Sequence, residues 1–263
     1  MKRIVSFFLI IFSVCSLFAL SQTEYEALLK KAEDNTAFYG LDFSGNYTIV
    51  QDRPGEGKTL TEAILYRRDT EGKWTILVTG PASEKGKGYL LYDDSIWFYD
   101  PADDRFTFTN AKDKFQNSNA TNSDFAPQKY YSGYTIESTE DVMLSKLDCV
   151  LYTLKAKSGA DVDYPMLKLW VTKNDGLVRK KEDYSLSGQK LRTTAVPSYQ
   201  MVKSGSATYA VPVSMLIQDN LRGKKISGSV QYEKTQITIK NVSFTAVSDA
   251  VYTKSYLQMM GSR

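Results

Sequence analysis

KGKGYLLYDDSIWFYDPADDRFTFTNAKDKFQNSNATNSDF, residues 85–125, is the stretch whose reading decides the fold. Two strand candidates, residues 88–92 and 95–99, are separated only by Asp93-Asp94. A third, residues 105–110, follows the turn Asp100-Pro101-Ala102-Asp103-Asp104. Tyr89, Leu90, Leu91, Tyr92 and then Ile96, Trp97, Phe98, Tyr99 make this hairpin apolar on both faces. A hairpin backed by solvent alternates apolar with polar instead. Either structure packs on both sides, or one side is an apolar surface kept for a ligand. Strand neighbours point to opposite sides. One of Trp97 and Phe98 is therefore expected to face a concave apolar cavity, and the other to face covering structure. The tract 112–123 is rich in Asn, Ser, Lys and Thr and reads as a mobile loop. Phe125–Tyr131 after it reads as a short helix or turn, with Asp124 as its cap.

Outward from this stretch the chain keeps a period of two. Leu41, Phe43, Tyr47 and Ile49 alternate with polar residues, then Leu60, Ile64 and Tyr66, then Trp74, Ile76 and Val78. Further strands are expected near 134–138, 147–156, 164–173, 176–184, 189–202, 207–217, 224–233 and 235–244. The breaks between them are turn chemistry, such as Asn174-Asp175-Gly176 and Ser187-Gly188. Short connections favour antiparallel neighbours, because parallel strands need long crossovers. About a dozen strands without a βαβ pattern predict a mainly β fold, one large curved antiparallel sheet, open or nearly closed. Tyr25, Leu28, Leu29 and Ala32 fall at helical spacing. They predict an amphipathic helix over 22–39, with Thr23 and Glu26 as a capping box and Gly40 as its end. Residues 248–260 read as a last helix or strand.

Residues 1–21 read as a secretory signal peptide: Met1-Lys2-Arg3 is basic, 4–20 is apolar, and small residues precede Gln22. The alternatives are an uncleaved anchor, for which the run is short, and a lipidated Cys15, before which Phe12-Ser13-Val14 fits poorly. The remainder, 22–263, is expected to form one β domain in the periplasm. Loss of Lys2 and Arg3 leaves it nearly neutral, with no basic stripe for nucleic acid. It keeps one cysteine, Cys149, so no internal disulfide framework is expected.

The 263 residues include no histidine. That removes Ser-His-Asp and Cys-His triads and His-ligated zinc. Asp93-Asp94 and Asp103-Asp104 could pair as catalytic carboxylates, but both fall in predicted turns, where Asp is common for its backbone-bonding side chain. The reading is a binding protein without cofactor or metal, and not an enzyme. What stands out is apolar and aromatic surplus, with 18 Tyr, 12 Phe and 3 Trp. Most of it is expected to be core. A curved sheet with few helices has limited material to cover its concave side, so a groove for an extended apolar ligand is a physical outcome. The candidate ligand-lining residues are Phe43, Ile64, Trp74, Ile76, Leu90, Trp97, Phe98, Phe106, Trp170 and Met215.

Lys87-Gly88-Tyr89-Leu90, Asp93 or Asp94, Trp97, Tyr99, Pro101, Arg105 and Ser123-Asp124-Phe125 together resemble the longer branch of the LolA-like, outer-membrane lipoprotein-sorting superfamily. Leu147–Leu151, the run to Trp170, and Val242–Phe244 followed by Val251-Tyr252-Thr253 and Tyr256-Leu257 extend the resemblance over most of 25–260. It implies an incomplete β-barrel around an apolar cavity, with helices as plug or lid. It also implies a monomeric periplasmic carrier of lipoprotein acyl chains, working with an inner-membrane release complex or an outer-membrane acceptor. A sensor or assembly module of the same fold, binding a partner protein or another lipid, is the alternative. On this resemblance the polar loop before Asp124 is a candidate flap at the cavity mouth. The family's basic run in that loop is reduced here to Lys112 and Lys114. Its lid-holding arginine does not align securely with Arg67 or Arg68.

Overall fold

The computed structural model describes residues 20–262. The expected leader therefore lies, up to residue 19, outside the described residues. The strands are β1 Asp42–Arg53, β2 Gly57–Arg68, β3 Lys73–Gly80, β4 Gly88–Tyr92, β5 Ser95–Asp100 and β6 Arg105–Thr109. Then follow β7 Tyr134–Leu144, β8 Leu147–Ala156, β9 Met166–Thr172, β10 Val178–Tyr184, β11 Lys190–Ser204, β12 Ala207–Ile226 and β13 Ser229–Ser243. The helices are α1 Gln22–Asp34 and α2 Lys254–Gly261.

The 13 strands form one antiparallel sheet in the order β6-β5-β4-β3-β2-β1-β13-β12-β11-β10-β9-β8-β7. Two meanders, β1–β6 and β7–β13, are thus joined side by side through β1 and β13. β6 and β7 are left as edges, so the curved sheet stays open and does not close into a barrel. The 85–99 hairpin has the expected register, Leu90 opposite Trp97 and Tyr92 opposite Ser95. Asp93 and Asp94 both take positive φ, 49° and 56°, the signature of a two-residue hairpin turn that matches strand twist.

The C-terminal strands differ from the expectation. The segments around 218–223 and 234 are not breaks. β12 runs through 20 residues and β13 through 15, turning at Ser227-Gly228. The polar residues there are tolerated because the hairpin arm has one face to solvent and only the β1–β2 turn against the other. α1 is also shorter than expected. Its cap is Ser21, whose hydroxyl accepts from the Glu24 N–H while Glu24 accepts from the Ser21 N–H. It ends at Asp34 with Asn35 as C-cap, five residues before Gly40.

The concave face carries two apolar clusters. Phe43, Tyr47, Ile49, Leu65, Trp74, Ile76, Tyr89, Ile217, Ile237 and Ile239 form one. The other is α1 laid on β8–β10, with Tyr25, Leu28, Leu29 and Ala32 against Tyr152, Leu154, Leu167 and Leu169. α2 packs instead on the convex face, Leu257 against Leu77, Leu90 and Tyr99. The glycines of the opening motif make that docking possible. A Cβ on Gly88 would meet Leu257 Cδ2 at 2.4 Å, and one on Gly86, at φ +90°, would meet Gly261 Cα at 2.9 Å. Trp97 packs beneath α2, with Lys254 Nζ 3.5 Å from its ring centre, while Phe98 faces the concave cluster.

Candidate functional site

The polar tract 112–123, expected as a mobile loop, packs Phe115 and 118–122 into the concavity and leaves Lys112, Asp113, Lys114 and Asn117 exposed. Phe115 and Ala120 are fully buried, and Ser118, Asn119, Thr121 and Asn122 are nearly so. Phe115 packs between Tyr89 and Phe125, tilted to both, with ring centres 4.8 Å from each. Polar composition misleads here because the sheet supplies polar partners. The Asn119 N–H donates to Gln51 Oε1 at 3.1 Å and to Thr235 Oγ1 at 2.8 Å. The Gln116 N–H donates to the Tyr89 hydroxyl at 3.2 Å. Lys114 lies 3.4 Å from Asp219. The tract is a plug, seated by hydrogen bonds around one aromatic side chain.

Its end is held by buried charges. The Arg192 guanidinium on β11 meets Asp124 through two bonds, 2.7 and 3.0 Å, and Asp183 on β10 at 2.8 Å. Lys181 lies 3.4 Å from Asp183. Burial pushes the Asp124 carboxyl up, but Arg192 and Lys181 more than offset this and leave it below its ordinary value. Asp124 also accepts from the Thr121 N–H and hydroxyl, closing a capping box on the short 3-10 turn 122–125. Of the short helix or turn expected over 125–131, turns form and a helix does not: a bend follows at Ala126 and a turn at 130–132. Residues 127–129 between them have no regular structure. Inward parity could have revealed the polar floor: Gln51 shares a face with Ile49, and Thr235 with Ile237.

Beside the plug a half-open cleft of about 640 Å³ remains. Trp74, Leu91, Ile96 and Phe108 form one wall, from β3 to β6. Tyr130, Tyr134, Tyr164, Leu167 and Lys181 form the other, with Glu33, Lys129 and Asp161 also lining it. The Tyr134 hydroxyl donates to the Tyr164 carbonyl at 2.8 Å. Burial first, then the neighbouring Tyr199 phenol and the Asp183 and Asp124 carboxylates, holds the Tyr130 phenol well above its usual range. Trp74 is buried, and its indole N–H has no partner among the described residues.

Of the candidate lining residues, Phe43, Trp74, Ile76, Phe98 and Met215 belong to the concave cluster. Leu90, Trp97 and Phe106 lie on the opposite face beneath α2. Ile64 is half-buried beside the concave Ala63 and Leu65, and so points to the convex side. Trp170 is likewise out of phase with the concave Leu169 and carries Lys180 Nζ 4.2 Å from its ring centre. Only Trp74 among the ten lines the cleft. Apolarity was visible in the sequence, but a strand apolar on both faces does not say which face is concave.

A family model described as "Uncharacterized protein" matches residues 70–259, and the chain belongs to that family. No curated protein matches the chain. Among solved structures it is similar to a LolA superfamily protein of Nitrosomonas europaea, at 20% identity and TM-score 0.69, over 88% of this chain and 98% of that one. A DUF1329 family protein from Desulfovibrio piger is similar at 19% identity and TM-score 0.72, over 89% and 98%. An outer membrane lipoprotein-sorting protein domain from Vibrio parahaemolyticus is similar at 16% identity and TM-score 0.70, over 88% and 97%. The fold is therefore LolA-like. No helix among the described residues is long and apolar enough to cross a membrane.

Proposed function

We propose that this protein is a periplasmic carrier that buries lipoprotein acyl chains on the concave face of its sheet, on their way to the outer membrane. The observation that carries the reading is the plug. A largely polar segment places two aromatic side chains, Phe115 and Phe125, on an apolar surface that the sheet does not otherwise cover. The adjoining cleft lies within the 300–1,000 Å³ usual for ligand sites. Each methylene moved from water into it contributes about 0.8 kcal/mol. Displacing the plug offsets part of that gain, which keeps binding reversible, as a carrier requires. The free indole N–H of Trp74 is placed to donate to an ester or amide carbonyl of an acylated ligand. The role is binding rather than catalysis. A sensor or assembly module that grips a partner protein is the second reading. It is favoured by the unpaired edges of β6 and β7, which can accept an added strand.

The test is uptake of a fluorescent acyl probe, together with recovery of acylated lipoprotein on the exported protein. Ile96→Glu in the cleft should abolish both, and Trp170→Glu on the opposite face should change neither. Equal effects of the two variants, or no acylated protein recovered, would refute the carrier.

A further inference from the structure

Beyond the last paired residues of its neighbours, the β12–β13 hairpin stands alone. β1 last pairs with β13 at Asp52–Lys234, and β11 last pairs with β12 at Arg192–Asp219. Past these points Gly223–Ile226 pair only with Ser229–Tyr232. At about 3.3 Å per residue, measured along β13 from Lys234 to Ser229 because β12 bulges between Gln218 and Gly223, the arm reaches roughly 15 Å beyond the last β1 pairing. A two-stranded ribbon is marginal in water on its own, so its composition needs another explanation.

Residues 221–232, LRGKKISGSVQY, contain Arg222, Lys224 and Lys225 and no acid. Arg222 lies 3.6 Å from Asp219 and 3.9 Å from Glu233, and Lys224 lies 3.9 Å from Glu56, long pairs in which both cations stay more than half exposed and which are worth little in water. Leu221 and Val230 are each 56% exposed. Lys225 and Val230 are opposite one another and share a face. The other face leans on the β1–β2 turn, where Lys224 and Ile226 approach Gly55. The sheet's topology brings a second exposed aliphatic to the same rim. β10 ends at Tyr184, paired with Lys190, so the turn between them is a lateral neighbour of the arm. Its Leu186 is 77% exposed, the most exposed large apolar side chain described. Aliphatic tips from two adjacent hairpins, ringed by cations, would be a liability in a protein facing only water.

We propose that this rim docks the protein on an anionic phospholipid surface. Leu186, Leu221 and Val230 enter the boundary between headgroups and acyl chains. Arg222, Lys224 and Lys225 meet the phosphates, their stems lying along the apolar boundary. The occupant follows from charge. A cationic arm whose ion pairs are long and solvent-exposed complements an anionic surface, and the aliphatic residues between the cations match a boundary that is polar outside and apolar beneath. This inference stands apart from what the cleft binds.

The test is co-sedimentation of the exported protein with phosphatidylglycerol–phosphatidylcholine vesicles, against phosphatidylcholine alone. Wild type should sediment with the anionic vesicles only, and less as salt is raised. A cation near such a surface contributes about 1 kcal/mol, so Lys224→Gln with Lys225→Gln should weaken binding roughly tenfold or more. Leu221→Glu with Val230→Glu should abolish it. Because the arm is outside the core, both variants should keep the wild-type unfolding midpoint and acyl-probe uptake, which separates this inference from the carrier reading. Equal sedimentation of wild type and variants overturns it. So does binding to vesicles only when a lipoprotein is embedded in them, which would make the partner a protein.

Discussion

Arg192→Met is the sharpest test of how the plug is held. The substitution keeps the stem and removes the guanidinium. Asp124 and Asp183 are then left buried, with only the Lys181 ammonium, 3.4 Å from Asp183, to answer both. Removing one partner of a buried ion pair costs about 3–5 kcal/mol. A second route to the number starts from the escape open to the variant, protonating Asp124. From an ordinary aspartate pKa of about 3.9 to pH 7, that costs about 4 kcal/mol, and to pH 5 only about 1.5. The two routes agree, and the second adds a pH signature. In wild type the folded Asp124 pKa is depressed. Its contribution is therefore present above about pH 4 and lost as pH falls further through the folded value. In the variant the penalty should be largest at pH 7 and shrink toward pH 5. Urea unfolding followed by tryptophan fluorescence reads both, with an unchanged m-value. Adding Asp124→Asn to Arg192→Met should restore at least about 1 kcal/mol at pH 7. A penalty under about 1 kcal/mol at pH 7, or one that is flat from pH 7 to 5, would refute the latch.

Three further outcomes are expected. Phe115→Ala should cost about 3–5 kcal/mol as a buried aromatic, yet raise acyl-probe uptake, because the side chain it removes occupies the proposed ligand surface; a simple core residue would only lower uptake. Gly88→Val should cost at least about 1–3 kcal/mol by overpacking and expose the α2 segment to proteolysis, since even a Cβ there would lie 2.4 Å from Leu257. Asp42 is held below its ordinary value, chiefly by hydrogen bonds from Arg68 that outweigh burial. Asp42→Asn should therefore destabilise fully above about pH 4, with the penalty shrinking only as pH falls further through the folded value, measured by thermal unfolding across that range.

The sheet was legible because period-two alternation and turn chemistry are local signals. Tyr92-Asp93-Asp94-Ser95 fixed one register within four residues. Which face is concave was not legible, because it depends on how 13 strands curve together. Leu90 and Leu91 look alike in sequence and lie on opposite faces. The plug was misread for a related reason. Asn119 is buried where Gln51 and Thr235, far away in the chain, accept from its backbone N–H and nearby Lys114 donates to its side-chain oxygen, while the Asn122 amide donates to the Asn110 carbonyl. Composition reports the cost of burying an amide, and not the partners that offset it.

The β1–β13 pairing has a consequence for the order in which the molecule assembles. Every other ladder joins strands that follow one another along the chain, and can close by local search. β1 and β13 are separated by nearly the whole sequence. Gln51 and Thr235 face each other across that ladder, one from each meander. The seat for the Asn119 N–H therefore does not exist until the two meanders have zipped together. The plug is then the last piece fitted, and a nascent chain held open at this seam would present its bare concave face to whatever apolar molecule arrives first.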